Sequence, residues 1–328
     1  GLVGGFVVVG GAGYLIGGVD QALSAVALFA VAGFRIAPSV VRVQTVLSGM
    51  ISNSSYVRRL LAEMSDSELA TQAALPETVL AVPEGASRIR LENVTFAYAA
   101  GDDPAIRDLS LEIELGTTVA FVGESGSGKS TLVDLVLGLV EPTGGGIFID
   151  ETPLADVRHS WRDRVAYVPQ EVALFDATIA QNVALTWSAD ADRDRVRNAL
   201  ERAHLWSVVG SREGGVDAPI GERGLALSGG QRQRLGIARA LYTDPLVLVM
   251  DEATSALDGR TEAAITESIA DLEGDMTVIV VAHRLATIKH ADTIFFLRRG
   301  TLAGSGTFQE LVEQFPDFAE QAQLAGLA

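Results

Sequence analysis

Residues 123–130, Gly-Glu-Ser-Gly-Ser-Gly-Lys-Ser, follow the spacing G-x-x-x-x-G-K-[ST], which wraps backbone amides around a phosphate group. Gly123, Gly126 and Gly128 allow the N–H groups of the loop to turn inward, with Glu124, Ser125 and Ser127 between them. A helix opening at Lys129 adds the positive end of its dipole. Lys129 brings a compact charge to the outer phosphates of a nucleotide, the Ser130 hydroxyl suits the accompanying Mg2+, and Thr131 follows. Among 25 basic residues only Lys129 and Lys289 are lysines. A branched guanidinium at position 129 would crowd the phosphates, which explains why a lysine is kept there.

Asp251 and Glu252 close an apolar run over 246–250. A carboxylate at the end of a buried strand is costly unless it meets a cation, and Mg2+–nucleotide supplies one. Asp251 then holds the metal through water, and Glu252 is the candidate base that orients and deprotonates an attacking water. A plain pair of capping acids in a strand-to-helix turn is the competing reading, and the phosphate loop weighs against it.

These residues need a frame. The runs 118–122, 165–168, 246–250 and 277–282 are short, continuous and apolar, as strands buried on both faces of a parallel sheet are. They lead into Gly123, Gln170, Asp251 and His283, and ligands of open α/β sheets bind beyond the carboxyl ends of the strands. Residues 88–96 and 109–115 alternate like half-buried strands. Between the second and third parallel runs lies a mostly helical insert, roughly 177–241. The expectation is an α/β P-loop NTPase with a mostly parallel core sheet, an antiparallel β part and a helical part.

Leu227-Ser-Gly-Gly-Gln231, followed by a helix over 232–241 and the run into Asp251-Glu252, resembles the signature motif and Walker B segment of ABC transporters. Residues 87–328 look like the nucleotide-binding domain of an exporter of that family. The resemblance implies that Tyr98 stacks on adenine, that Gln170 is the Q-loop glutamine reaching the metal and the attacking water, that Asp258 belongs to the D-loop, and that His283 is the switch histidine. Gly221-Glu-Arg-Gly224, with Glu222 at its centre, resembles the loop that contacts the membrane domain. Catalytic roles accordingly fall to Glu252, His283 and Gln170, and the metal to Ser130, Gln170 and Asp251. The family also implies a shared site: ATP is sandwiched between one phosphate loop and the signature of a second copy, or of a paralogous half-transporter. Ser228, Gly229, Gly230 and Gln231, at a helix start, offer such a second anion cradle; a simple helix cap is the alternative for Ser228.

Composition bounds the rest. The first forty residues carry only Asp20 and Arg35 as charges. Residues 1–18 and 22–34 are apolar segments separated by Val19-Asp20-Gln21, with eight glycines in the first eighteen positions, as in close-packed membrane helices. Arginines 35, 42, 58 and 59 place the end of the second segment on the cytoplasmic side. The chain opens on Gly1 inside the apolar run, which reads as part of something longer. The expected division is 1–64, the last two transmembrane α-helices and their extension in the lipid; 65–86, a polar linker; and 87–328, the cytoplasmic nucleotide-binding domain of an inner-membrane protein. A net charge of −17 argues against a nucleic-acid partner, and with it against a soluble ABC ATPase acting on nucleic acid or ribosomes. The absence of cysteine excludes thiolate chemistry, and His159, His204 and His290 have no partners at metal-ligand spacing. The stretch 34–39, Phe-Arg-Ile-Ala-Pro-Ser, with the following helix, resembles that region in lipid-linked oligosaccharide flippases and polysaccharide-export relatives, and multidrug, lipid and peptide export stay open as cargo classes. Lys129→Ala is expected to abolish ATP affinity in an equilibrium titration; undiminished binding would refute the phosphate-loop reading.

Overall fold

The computed structural model describes residues 2–74, 80–99, 101–188, 190–221, 224–251, 272, 274–282 and 285–327. The chain separates into two compact units, residues 1–77 and 78–328.

In the first unit the helix Leu2–Ala74 is broken at Gly17 and Gly18, the latter at φ 74°, ψ −159°. Only glycine adopts that conformation without strain. The break therefore falls at the glycine pair, not at the polar Val19-Asp20-Gln21 that follows it. It folds the helix into two antiparallel arms. Phe6 meets Phe29 edge to face at 5.3 Å, and a Cβ on Gly10 or Gly13 would stand 3.0 Å from Val26 or 2.9 Å from the Cα of Ala22. Small residues thus let the arms approach closely. Much of the apolar surface faces outward, with Leu15 86% and Phe34 87% exposed. Residues 3–61 are long and apolar enough to cross a membrane. The helix continues through 65–74, where a linker was expected, because this stretch is built of helix formers such as Glu68, Leu69 and Ala70 and its first proline comes only at 76.

Among the described residues the second unit holds two sheets. β1 (Arg88–Phe96), β2 (Ile106–Glu114), β4 (Gly144–Ile149) and β5 (Thr152–Pro153) form an antiparallel sheet in the order β2-β1-β4-β5. The main sheet runs β10-β9-β3-β8-β7-β6. Here β3 (Thr118–Gly123), β6 (Val165–Val168), β7 (Val247–Asp251), β8 (Thr277–Val281) and β9 (Thr293–Arg298) are parallel. β10 (Thr301–Gly306) turns back antiparallel to β9. The four apolar runs are four of these parallel strands. One apolar core joins the antiparallel sheet to one face of β3, β7, β8 and β9 and to the helix Lys129–Val136. Within it Trp161 is fully buried and donates its indole N–H to the Val136 carbonyl at 2.9 Å. The other face is covered by a second core drawn largely from the helical insert.

The insert contains helices Ile179–Ala184, Arg193–Arg202, Trp206–Gly210 and Gly229–Leu241. Its first helix carries Asn182, which has no exposed surface. The Asn182 amide donates to the carbonyls of Phe175 and Thr178, both at 3.0 Å, and its oxygen accepts the Phe175 N–H at 2.9 Å. An apolar substitute would strand several buried backbone groups, each costing about 1–3 kcal/mol. Asn182→Ala is expected to destabilise the domain by about 3 kcal/mol in chemical denaturation; a loss below about 0.5 kcal/mol would show these bonds replaced by water.

Candidate nucleotide site

Register brings the predicted chemistry to one edge. Gly123 at the end of β3 lies opposite Leu297 of β9, Phe121 opposite Val281 of β8, Val281 opposite Asp251 of β7, and Met250 opposite Val168 of β6. The carboxyl ends of these strands are therefore neighbours, and Gln170 follows β6 at the same edge, exposed.

The loop 123–130 is held by close backbone approach. Gly123 has φ 152°, and a Cβ there would stand 2.2 Å from the Leu297 carbonyl oxygen. Gly126 and Gly128 have φ 78° and 101°, and a Cβ on Gly128 would lie 2.8 Å from the Ala105 carbonyl. The Ser127 N–H bonds Glu124 O at 3.1 Å, and the Gly300 N–H bonds Ser127 O at 3.0 Å. Lys129 opens the helix and is only 6% exposed. Its ammonium donates to the carbonyls of Gly123 at 2.8 Å and Glu124 at 3.0 Å, so the cation is held across the loop. Ser127 Oγ is buried and has no hydrogen-bond partner among the described residues, an unmet polar group inside the loop. Ser130 and the loop residues 124–126 are exposed. Buried Thr131 exchanges a hydrogen bond with the Tyr98 hydroxyl at 2.9 Å. That bond, and an edge-to-face contact with Phe96 at 5.0 Å, fix a Tyr98 ring that is 67% exposed and available for stacking.

Asp251 is tied to a residue the sequence reading passed over. The Tyr167 hydroxyl donates to Asp251 Oδ2 at 2.9 Å. Burial, the bond to Asp251 and the charge of Asp251 push the Tyr167 phenol well above its usual range. Nearby Asp134, on the helix that Lys129 opens, is raised above the usual carboxylate range by burial and then by Asp251. The hard oxygens of Ser130 and Asp251 are the donor type Mg2+ prefers, so the residues present fit the metal of a nucleotide complex.

Ser228 caps the helix Gly229–Leu241. Its hydroxyl accepts the Gln231 N–H at 3.3 Å, and the Gln231 side chain accepts the Ser228 N–H at 3.1 Å, a reciprocal box. Gly229 is exposed and Gly230 buried. This helix is fastened along residues 169–175, the segment that contains Gln170. Gln233 donates to Pro169 O at 3.4 Å, and a Cβ on Gly236 would stand 2.5 Å from Val172. Arg239 donates to Ala173 O at 2.8 Å and to Asn182 O at 2.9 Å, with its guanidinium 6.0 Å from the Phe175 ring. Positions 233, 236 and 239 share one helical face. Glu252, Asp258, His283 and Glu222 lie outside the described residues.

A glycine cradle with a buried lysine, opening a helix at the carboxyl edge of a parallel sheet, defines a P-loop nucleotide-binding domain. Residues 106–255 match the ABC transporter family, so this part of the chain is an ABC nucleotide-binding domain. It is 45% identical over 229 residues to the ATP-dependent lipid A-core flippase of Ralstonia nicotianae, covering 69% of this chain and 39% of that protein. Identity to the flippase of the same name from Shewanella frigidimarina is 38% over 275 residues, 83% of this chain and 46% of that protein. A bacterial Atm1-family ABC exporter solved with ATP bound superposes with a TM-score of 0.71 at 32% identity, over 94% of this chain and 52% of that one. The chain thus spans about half the length of these relatives or less.

Gly123→Ala forces a methyl group onto the Leu297 carbonyl. It is expected to weaken ATP binding at least tenfold and to lower the melting temperature by several degrees, read by titration and calorimetry; wild-type values for both would show that the loop can shift aside.

Proposed function

We propose that this chain is the ATP-hydrolysing part of an exporter-type half-transporter that moves a lipid-linked substrate across a membrane. The observation that carries it is the pairing, in one chain, of an outward-facing apolar helical hairpin with a phosphate loop of ABC type. The names of the relatives support a glycolipid of the lipid A-core class as cargo. The outward apolar hairpin favours this reading over a soluble ABC ATPase.

In this reading residues 1–64 are membrane helices of an inner-membrane protein, and residues 87–328 form its cytoplasmic ATPase. The loop amides and Lys129 neutralise the β- and γ-phosphate oxygens of ATP. Tyr98 stacks on the adenine. Ser130, Gln170 and Asp251 would hold Mg2+, which when bound would supply Lewis-acid stabilisation of phosphate charge. Glu252 takes the proton of the water that attacks the γ-phosphorus, with Gln170 and His283 orienting it. Ser228, Gly229, Gly230 and Gln231 of a second copy close over the phosphates, with Asp258 at the contact. Closure of the pair on ATP and reopening after hydrolysis move the hairpin arms.

Glu252→Gln keeps the shape of the side chain and removes the base. It is expected to retain ATP binding, to lose turnover by 100-fold or more, and to trap a closed dimer visible by size-exclusion chromatography. Undiminished hydrolysis would remove Glu252 from the role of base.

A further inference from the structure

Tyr167 stands on β6 opposite Val249 of β7. Alternate residues of a strand share a face, so Asp251, two positions beyond Val249, projects on the same side as the tyrosine's immediate neighbour. The rigid aromatic ring spans this diagonal and delivers its O–H to Asp251 Oδ2 at 2.9 Å. Serine or threonine on β6 would be too short, and phenylalanine would arrive without a donor.

A carboxylate has two oxygens, each able to accept more than one hydrogen bond. With Oδ2 held by the phenol, the rotation of the carboxylate about its last bond, otherwise broad, is fixed and Oδ1 is left for a cation or its water. Metal-binding carboxylates are commonly oriented by such outer partners, whose loss weakens metal binding about 10–100-fold. The surroundings sharpen the need for a donor here, because the nearby group is another carboxyl, Asp134, which Asp251 itself raises and which offers no positive charge.

We propose that Tyr167 is a positioning residue for the divalent cation of the nucleotide complex, holding Asp251 in the orientation that receives the metal. The inference rests on the reading of Asp251 as part of a Mg2+–ATP site. Tyr167 touches neither nucleotide nor metal; it acts through the carboxylate.

Tyr167→Phe removes one oxygen and keeps the ring. The test uses the full chain in detergent and Mn2+ as a paramagnetic stand-in for Mg2+, titrated by electron paramagnetic resonance with a non-hydrolysable ATP analogue present. The expected result is a tenfold or greater weakening of nucleotide-dependent Mn2+ binding in Tyr167→Phe, with nucleotide affinity in excess chelator and the melting temperature unchanged. ATPase assays should then show a raised half-saturating Mg2+ concentration and a rate at saturating Mg2+ within about twofold of wild type. Equal Mn2+ affinity in the two proteins would overturn the role of Tyr167 and leave the metal–nucleotide site standing. No nucleotide-dependent Mn2+ binding in the wild type would overturn that site and this inference together. A fall in melting temperature with Mn2+ affinity intact would make the bond structural and also overturn it.

Discussion

The Leu297 carbonyl oxygen occupies the space that a side chain on Gly123 would need, and the geometry of the site follows from that close approach. It sets β9 against β3 in register, Gly123 to Leu297. It sends the chain out of β3 into a loop tight enough for Lys129 to fold back onto the carbonyls of Gly123 and Glu124. The same loop accepts its second constraint at Gly128, against Ala105 at the start of β2. Both sheets are therefore built against the phosphate cradle, which ties the stability of the domain to the shape of its site.

Charge is distributed with equal economy. A buried ammonium is tolerable because two carbonyls accept from it, and those contacts are of a kind that stronger phosphate acceptors can replace. Across the edge, Asp251 and Asp134 supply negative potential, with the neutral Tyr167 hydroxyl between β6 and β7 as donor. Lysine on one side and carboxylates on the other match a ligand that carries both phosphate oxygens and a divalent cation.

Much of this was legible in the residues. The four inner strands and the helical insert follow from apolar runs between polar punctuation, and the glycine-turned loop at 123–130 from a motif of fixed spacing, because local pattern decides them. What escaped was decided by tertiary partners. β4 opens with three consecutive glycines, poor strand formers; Gly144 and Gly146 pair with β1 around an irregularity at Gly145, whose φ is 75°. β9 followed so closely on a short helix, Leu285–Ile288, that its apolar run did not stand apart. The hairpin break was sought at the polar residues, whereas backbone freedom at Gly17-Gly18 set it. Tyr167 looked like any strand aromatic, since nothing in its neighbours along the chain shows that Asp251, 84 positions away, ends the adjoining strand.

The fastening of the helix Gly229–Leu241 along residues 169–175 has a mechanical meaning. Gln233, Gly236 and Arg239 engage that segment at three successive turns, and Asn182 anchors its far end. A packed seam of this kind deforms poorly and shifts as a whole. The glutamine that follows β6 and the glycine pair at the head of the helix therefore lie at the same end of one packed seam. Moving either one alone means breaking the contacts that join the helix to residues 169–173.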